Sequence, residues 1–134
     1  MLRFGIFVCA LCLAVAATAL AAGEKDYKEL YRLGVEHNKK GEFAEAIGLY
    51  SKAIALKKDS APLYFVRGRA YEQNKQFDNA IRDLDKAIAL KPDYAEAYNI
   101  RGVAKLETGK KEQALADFKK GCSLGLKEAC ANAR

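Results

Sequence analysis

The sequence predicts an all-α fold, a row of stacked helical hairpins closed by a short helix at the C-terminal end. Three observations predict it. A shift of 34 residues brings Gly34, Gly68 and Gly102 into register, and with them Ala46, Ala80 and Ala114, Leu56, Leu90 and Leu124, and Lys52, Lys86 and Lys120. Each period holds two apolar stripes at helical spacing, separated by a polar break. The composition, 51% hydrophobic and 30% charged over 134 residues, is that of one folded domain rather than a disordered chain. A period of this length is that of stacked helical units, none of which buries its stripe alone.

The chain begins with a segment of another kind. Met1-Leu2-Arg3 carries one positive charge, and residues 4–23 carry none. The apolar run gives way to Ala19-Leu20-Ala21-Ala22, small residues at the spacing a signal peptidase accepts. Residues 1–22 therefore read as a secretory signal peptide, cut near Ala21 or Ala22. The alternative is an uncleaved membrane anchor, since about 20 uncharged residues just span a bilayer. Cys9 and Cys12 lie inside this apolar core, where cysteine serves as a small hydrophobe. The expected location is outside the cytoplasm, in a bacterial periplasm or secreted.

The net charge is +6, and loss of Arg3 with the leader, one base and no acid, leaves about +5. The excess is spread over pairs such as Lys39-Lys40, Lys57-Lys58, Lys110-Lys111 and Lys119-Lys120 at predicted turns and helix ends, which reads as a solvated surface. Weak association with an anionic membrane surface or envelope polymer is an alternative. Nucleic acid is not an expected partner, because no basic-aromatic platform occurs.

The units span residues 27–60, 61–94 and 95–128. In the central one, Tyr64, Arg67, Gly68 and Tyr71 share one helical face. Asn74-Lys75-Gln76 breaks the pattern, and Phe77, Ala80, Ile81, Leu84, Ala87 and Ile88 form the second stripe. Gly68 and Ala80 are expected to let the two backbones approach, and Ala87 to give room to the next unit. Pro92 cannot continue the second helix. Asp93 is expected to cap the following helix, with Glu96 completing a capping box.

The period, the glycine of the first helix, the alanine, aromatic and alanine spacing of the second, and Pro92 at a unit's end together resemble the tetratricopeptide repeat. The resemblance covers residues 27–128, with Leu30, Tyr64 and Tyr98 where the family commonly has tryptophan. It implies a right-handed superhelix whose first helices line a concave groove, and binding of peptides or partner proteins without chemistry. Mapped onto this chain, the groove would present Tyr31, Val35 and Asn38, then Phe65, Arg69 and Gln73, then Asn99, Val103 and Leu106. These suit an extended or helical segment with apolar anchors. Members that bind chaperone tails carry a clamp of lysines and asparagines. The matching places here hold Tyr31, Val35, Val66, Glu96 and Ile100, so no such carboxylate recognition is expected.

The units differ in a paired way. Leu33 precedes the first glycine, whereas Arg67 and Arg101 precede the others, and on the second helices Leu49 becomes Asp83 and Asp117. The joint change predicts ion pairs Arg67–Asp83 and Arg101–Asp117, structural in role.

In the tail, Gly121 replaces alanine and Cys122 replaces the isoleucine of its siblings, and Cys130 follows. A continuous helix would hold the two cysteines about 12 Å apart, too far for a disulfide. Gly125 lets the chain double back, so residues 125–134 are expected to form a capping helix clamped by Cys122 and Cys130. Two free thiols packed in the cap are the alternative. The spacing resembles cysteine-rich Sel1-like repeats, which implies the disulfide.

Nothing reads as catalytic. His37 is the one histidine, placed on a packing face, and Ser51, Ser60 and Ser123 lack the context of an activated nucleophile. No cofactor or metal is expected. The whole reads as a non-enzymatic interaction scaffold, with self-association an alternative because three units are near the minimum for stability.

Overall fold

The computed structural model describes the backbone of residues 5–134 and the side chains from Ala22 onward. The expected leader, with Cys9, Cys12 and the sites near Ala21, lies outside the described side chains. The described residues form seven helices: α1 (Gly5–Lys39), α2 (Phe43–Leu56), α3 (Ala61–Gln73), α4 (Phe77–Leu90), α5 (Ala95–Glu107), α6 (Lys111–Ser123) and α7 (Lys127–Asn132). They pack as three hairpins, α1 with α2, α3 with α4 and α5 with α6, each leaning its second helix on the next hairpin. Contacts of α3 with α5, and of α5 with α7, place the first helices in one row.

Every turn inside a hairpin closes the same way. The N–H of Glu42 reaches the His37 carbonyl at 3.0 Å, Gln76 that of Tyr71 at 2.8 Å, and Lys110 that of Lys105 at 2.8 Å. The same bond, Leu126 N–H to the Gly121 carbonyl at 3.1 Å, joins α6 to α7. This is the Schellman arrangement, which puts the preceding residue in the left-handed region. Gly41, Gly109 and Gly125 occupy it at φ 79°, 81° and 97°. Lys75 occupies it too, at φ 59°, where its Cβ crowds the backbone.

Turns between hairpins do not depend on proline. Lys57 and Lys91, at the ends of α2 and α4, share φ/ψ of −139°/90° and −140°/88°. Only the second is followed by proline; the first has Lys58 there. The expected capping box at Asp93 does not form. Tyr94 is the N-cap of α5 and no side chain caps it. The loop is held instead by Tyr98, whose Oη donates to the Pro92 carbonyl at 3.0 Å, as Tyr64 Oη does to the Lys58 carbonyl at 3.1 Å. A tyrosine one turn into each helix thus ties down the loop that Asp93 was expected to cap.

The glycines make room for a side chain rather than for the alanine opposite. A Cβ on Gly68 would stand 2.9 Å from Leu84 Cγ, and one on Gly102 would stand 2.6 Å from the Phe118 ring. Gly34 faces the Tyr50 ring in the same way. Tyr50, Leu84 and Phe118 are in register, so one large side chain per hairpin fills the notch its glycine leaves. Ala46, Ala80 and Ala114 are fully buried beside them. Losing a side chain such as that of Leu84 would cost about 2–5 kcal/mol.

Arg67 and Arg101 hold more than their own hairpins. Arg67 grips the Asp83 carboxylate with Nε at 2.7 Å and Nη2 at 2.8 Å, and its Nη1 donates to Ser51 Oγ on α2 at 3.0 Å. Arg101 grips Asp117 at 2.9 and 2.7 Å and reaches back to Asp85 on α4 at 2.8 Å. Lys105 adds a second cation to Asp117 at 3.0 Å. Asp83 and Asp117 are buried. The hydrogen bond to Asp83 is the main cause that raises the Arg67 pKa. Burial opposes the charge of Arg101, yet Asp117 and Asp85 together hold its pKa above the ordinary value.

At the C-terminal end α7 folds back on α6. The Cys122 and Cys130 sulfurs are 2.00 Å apart and their Cα atoms 4.5 Å. A Cβ on Gly121 would meet Ala129 Cβ at 2.9 Å and the Ala95 carbonyl at 3.2 Å, so glycine stands where α5, α6 and α7 converge.

Candidate partner-binding groove

Positions 31, 65 and 99 are one register position on three successive first helices, and their surroundings differ. Tyr31 is 37% exposed and leans on Tyr50, ring centroids 6.2 Å apart. Phe65 is half-buried and packs on Tyr94 of the next loop at 4.7 Å. Asn99, expected in the groove, is instead buried: its Oδ1 accepts from Asn132 Nδ2 at 3.0 Å. The reason is α7, which occupies on α5 the place that a following hairpin's first helix takes elsewhere. Val103 is half-buried, and Leu106 is 46% exposed at the end of α5.

Between α1 and α3 the row opens into a cavity of about 340 Å³ lined by Tyr31, Val35, Asn38, Phe65, Val66 and Arg69, with Tyr50 and Lys39 at its margin. Burial pushes the Tyr50 hydroxyl up to about 12, as it does that of Tyr94, so both rings stay neutral at physiological pH. Asn38 Nδ2 donates to Gln73 Oε1 at 3.0 Å across the two helices. Gln73 lines a second cavity of about 480 Å³ with Phe43, Glu72, Lys75, Phe77 and Glu107. Burial raises the Glu72 pKa, with Arg69 opposing and Glu107 adding to the rise. The expected groove residues of the first two units thus fall around two cavities linked by the Asn38–Gln73 bond, whereas those of the third do not.

Val66, Lys39 and the Glu72/Glu107 pair belong to these walls and were not among the expected residues. Glu107 is in register with Gln73, an expected groove residue, which is the signal that could have placed it there. His37 Nδ1 lies 2.5 Å from Glu42 Oε2 at the first turn, away from the cavities' walls. Among the described residues no group of three or more histidine, cysteine or acidic side chains converges as a metal would require.

Known proteins share this geometry. The family described as TPR repeat matches residues 34–75 and again 68–109, and a second, described as Tetratricopeptide repeat, matches residues 95–124. Among solved structures, the first TPR of Spaghetti (RPAP3), bound to HSP90 peptide SRMEEVD, is 30% identical with a TM-score of 0.79, over 82% of this chain and 89% of its own. The second TPR domain of the human RPAP3 protein, in complex with an HSP70 peptide, is 28% identical with a TM-score of 0.76, over 85% and 94%. The Arabidopsis OM64 TPR domain is 25% identical with a TM-score of 0.79, over 81% and 92%. No curated protein sequence matches the chain.

Proposed function

The chain belongs to the tetratricopeptide repeat family, and from that premise we propose that it is a non-enzymatic scaffold, exported to the cell envelope, that holds an extended segment of a partner protein along α1 and α3. The observation that carries the reading is the 340 Å³ cavity whose walls come from two successive repeats. An apolar floor with a few convergent polar groups is the usual composition of such a site. Two of the similar TPR domains were solved with peptides bound, which supports a peptide here. Those peptides end in acidic tails, but the places of the carboxylate clamp in this chain hold Tyr31, Val35, Val66, Glu96 and Ile100. The segment bound here is therefore not read through a clamp on a terminal carboxylate.

Export is supported by the leader reading of residues 1–22 and by the Cys122–Cys130 pair, since disulfides persist in oxidising compartments. Two experiments test the proposal. In the first, the chain and its Tyr31→Ala, Arg69→Ala variant, both checked for helicity, are used to capture partners from envelope extract. A protein kept by the first bait and lost by the second supports the groove; equal recovery moves binding to another face. The second is N-terminal sequencing of the chain recovered from cells. A start near Gly23 supports export and cleavage, whereas an intact Met1 in the cytosol overturns them.

A further inference from the structure

The cavity between α1 and α3 offers three unspent interactions, and together they describe a ligand. Its floor is apolar, from Tyr31, Val35, Phe65 and Val66. Its rim carries Arg69, an exposed cation with no carboxylate at ion-pair distance among the described residues. Arg67 by contrast is engaged with Asp83 and Ser51, and Arg101 with Asp117 and Asp85. Its wall contains Asn38, whose Oδ1 is turned away from solvent and has no hydrogen-bond partner, while the Nδ2 of the same amide is committed to Gln73. A buried acceptor left unpaired is uncommon in a folded protein and is costly until something donates to it.

We propose that this cavity takes an internal segment of a partner chain in which one large apolar side chain, of leucine to phenylalanine size, is flanked by aspartate or glutamate. The inference rests on the groove reading above and specifies its ligand. The apolar side chain fills the space over Val35 and Val66. Binding turns the Asn38 amide outward so that Oδ1 accepts a backbone N–H of the segment, which a peptide supplies at every residue but proline. The acidic neighbour pairs with Arg69. Its side of the segment is fixed as well, because Glu72 and Glu107 line the second cavity, on the Gln73 side of the Asn38–Gln73 bond, and repel an acid placed there. A free C-terminus is not needed, since one cation and one amide do not make a clamp for a terminal carboxylate.

The test uses short peptides blocked at both ends, each with one central phenylalanine, flanked by glutamate, serine or lysine. Each is titrated into the purified chain while amide resonances of α1 and α3 are followed, including the Asn38 side-chain amide. The expected order is glutamate over serine over lysine, with about fivefold between the first two, the scale of one exposed ion pair. Arg69→Gln should bring the glutamate peptide down to the serine peptide, and Glu72→Gln should strengthen it. The Asn38 amide should shift with all peptides that bind. Equal affinities of the glutamate and serine peptides at α1 and α3 would overturn the acidic specificity and leave the groove standing. No movement of α1 and α3 resonances with any of the three would overturn both.

Discussion

The row of first helices is open at one end and shut at the other. Between α1 and α3 there is a cavity, a single amide–amide bond and an unpaired acceptor. Between α5 and α7 there is the Asn99–Asn132 bond, and α6 closes against both, through the close contact at Gly121 and the cysteine pair with α7. The same repeat position supplies Tyr31 to the first place, Phe65 to the next and a buried Asn99 to the last. What a residue does in such an array is set by what stacks upon it as much as by its own identity. A groove position becomes an interior one when the following unit is reduced to a short cap.

The comparison can be broken most strongly from inside. Asp117→Asn leaves Arg101 and Lys105 without their buried carboxylate and should cost about 3–5 kcal/mol, whereas Asp83→Asn strands only Arg67 and should cost less. Urea unfolding of both variants decides this, and equal costs would mean that Lys105 adds nothing. Next, Cys130→Ser should cost about 2–3 kcal/mol on the chain-entropy account of so short a loop. Hydrogen exchange should then speed up in α7 and around Asn99 while α1 and α3 keep their rates. Lys75→Gly should add about 0.5–1 kcal/mol by relieving a left-handed lysine, a gain absent at Gly41 and Gly109, where glycine already stands. The smallest effect is that of Glu72→Gln. Burial raises the pKa of Glu72, so its ionised form works against the fold. The substitution should therefore raise the melting temperature at pH 7, and the gain should vanish below about pH 4, where the carboxyl is protonated in both states.

Much of this was legible in the sequence. Register gave the hairpins, because a period of stacked units repeats its packing constraints residue by residue. The joint change of Leu33 and Leu49 to arginine and aspartate carried the pairing within hairpins. The backward arms of the same arginines were not read, although Ser51 and Asp85 are in register, because serine and aspartate do not look equivalent until one cation reaches both. The capping box at Asp93 failed since a local motif competes with a tyrosine five residues along that holds the loop. Lys75 was read as a polar break and not as a left-handed turn, because no glycine marks it. The burial of Asn99 depended on where α7 would dock, and tertiary contact of that kind leaves no periodic trace.

The arginine arms point one way along the chain: Arg67 of the second unit reaches back to the first, and Arg101 of the third reaches back to the second. The last unit is pinned by its cap through Cys122 and Cys130. Linear arrays of this kind lose their units from the less supported end. Pulled apart by its two termini, the molecule should yield first at α1 and α2, with a second and larger force needed for the rest. The cavity between α1 and α3 straddles that joint, so an occupant spanning the two helices would act as a mechanical splice. Its presence would be read as a rise in the lower of the two rupture forces.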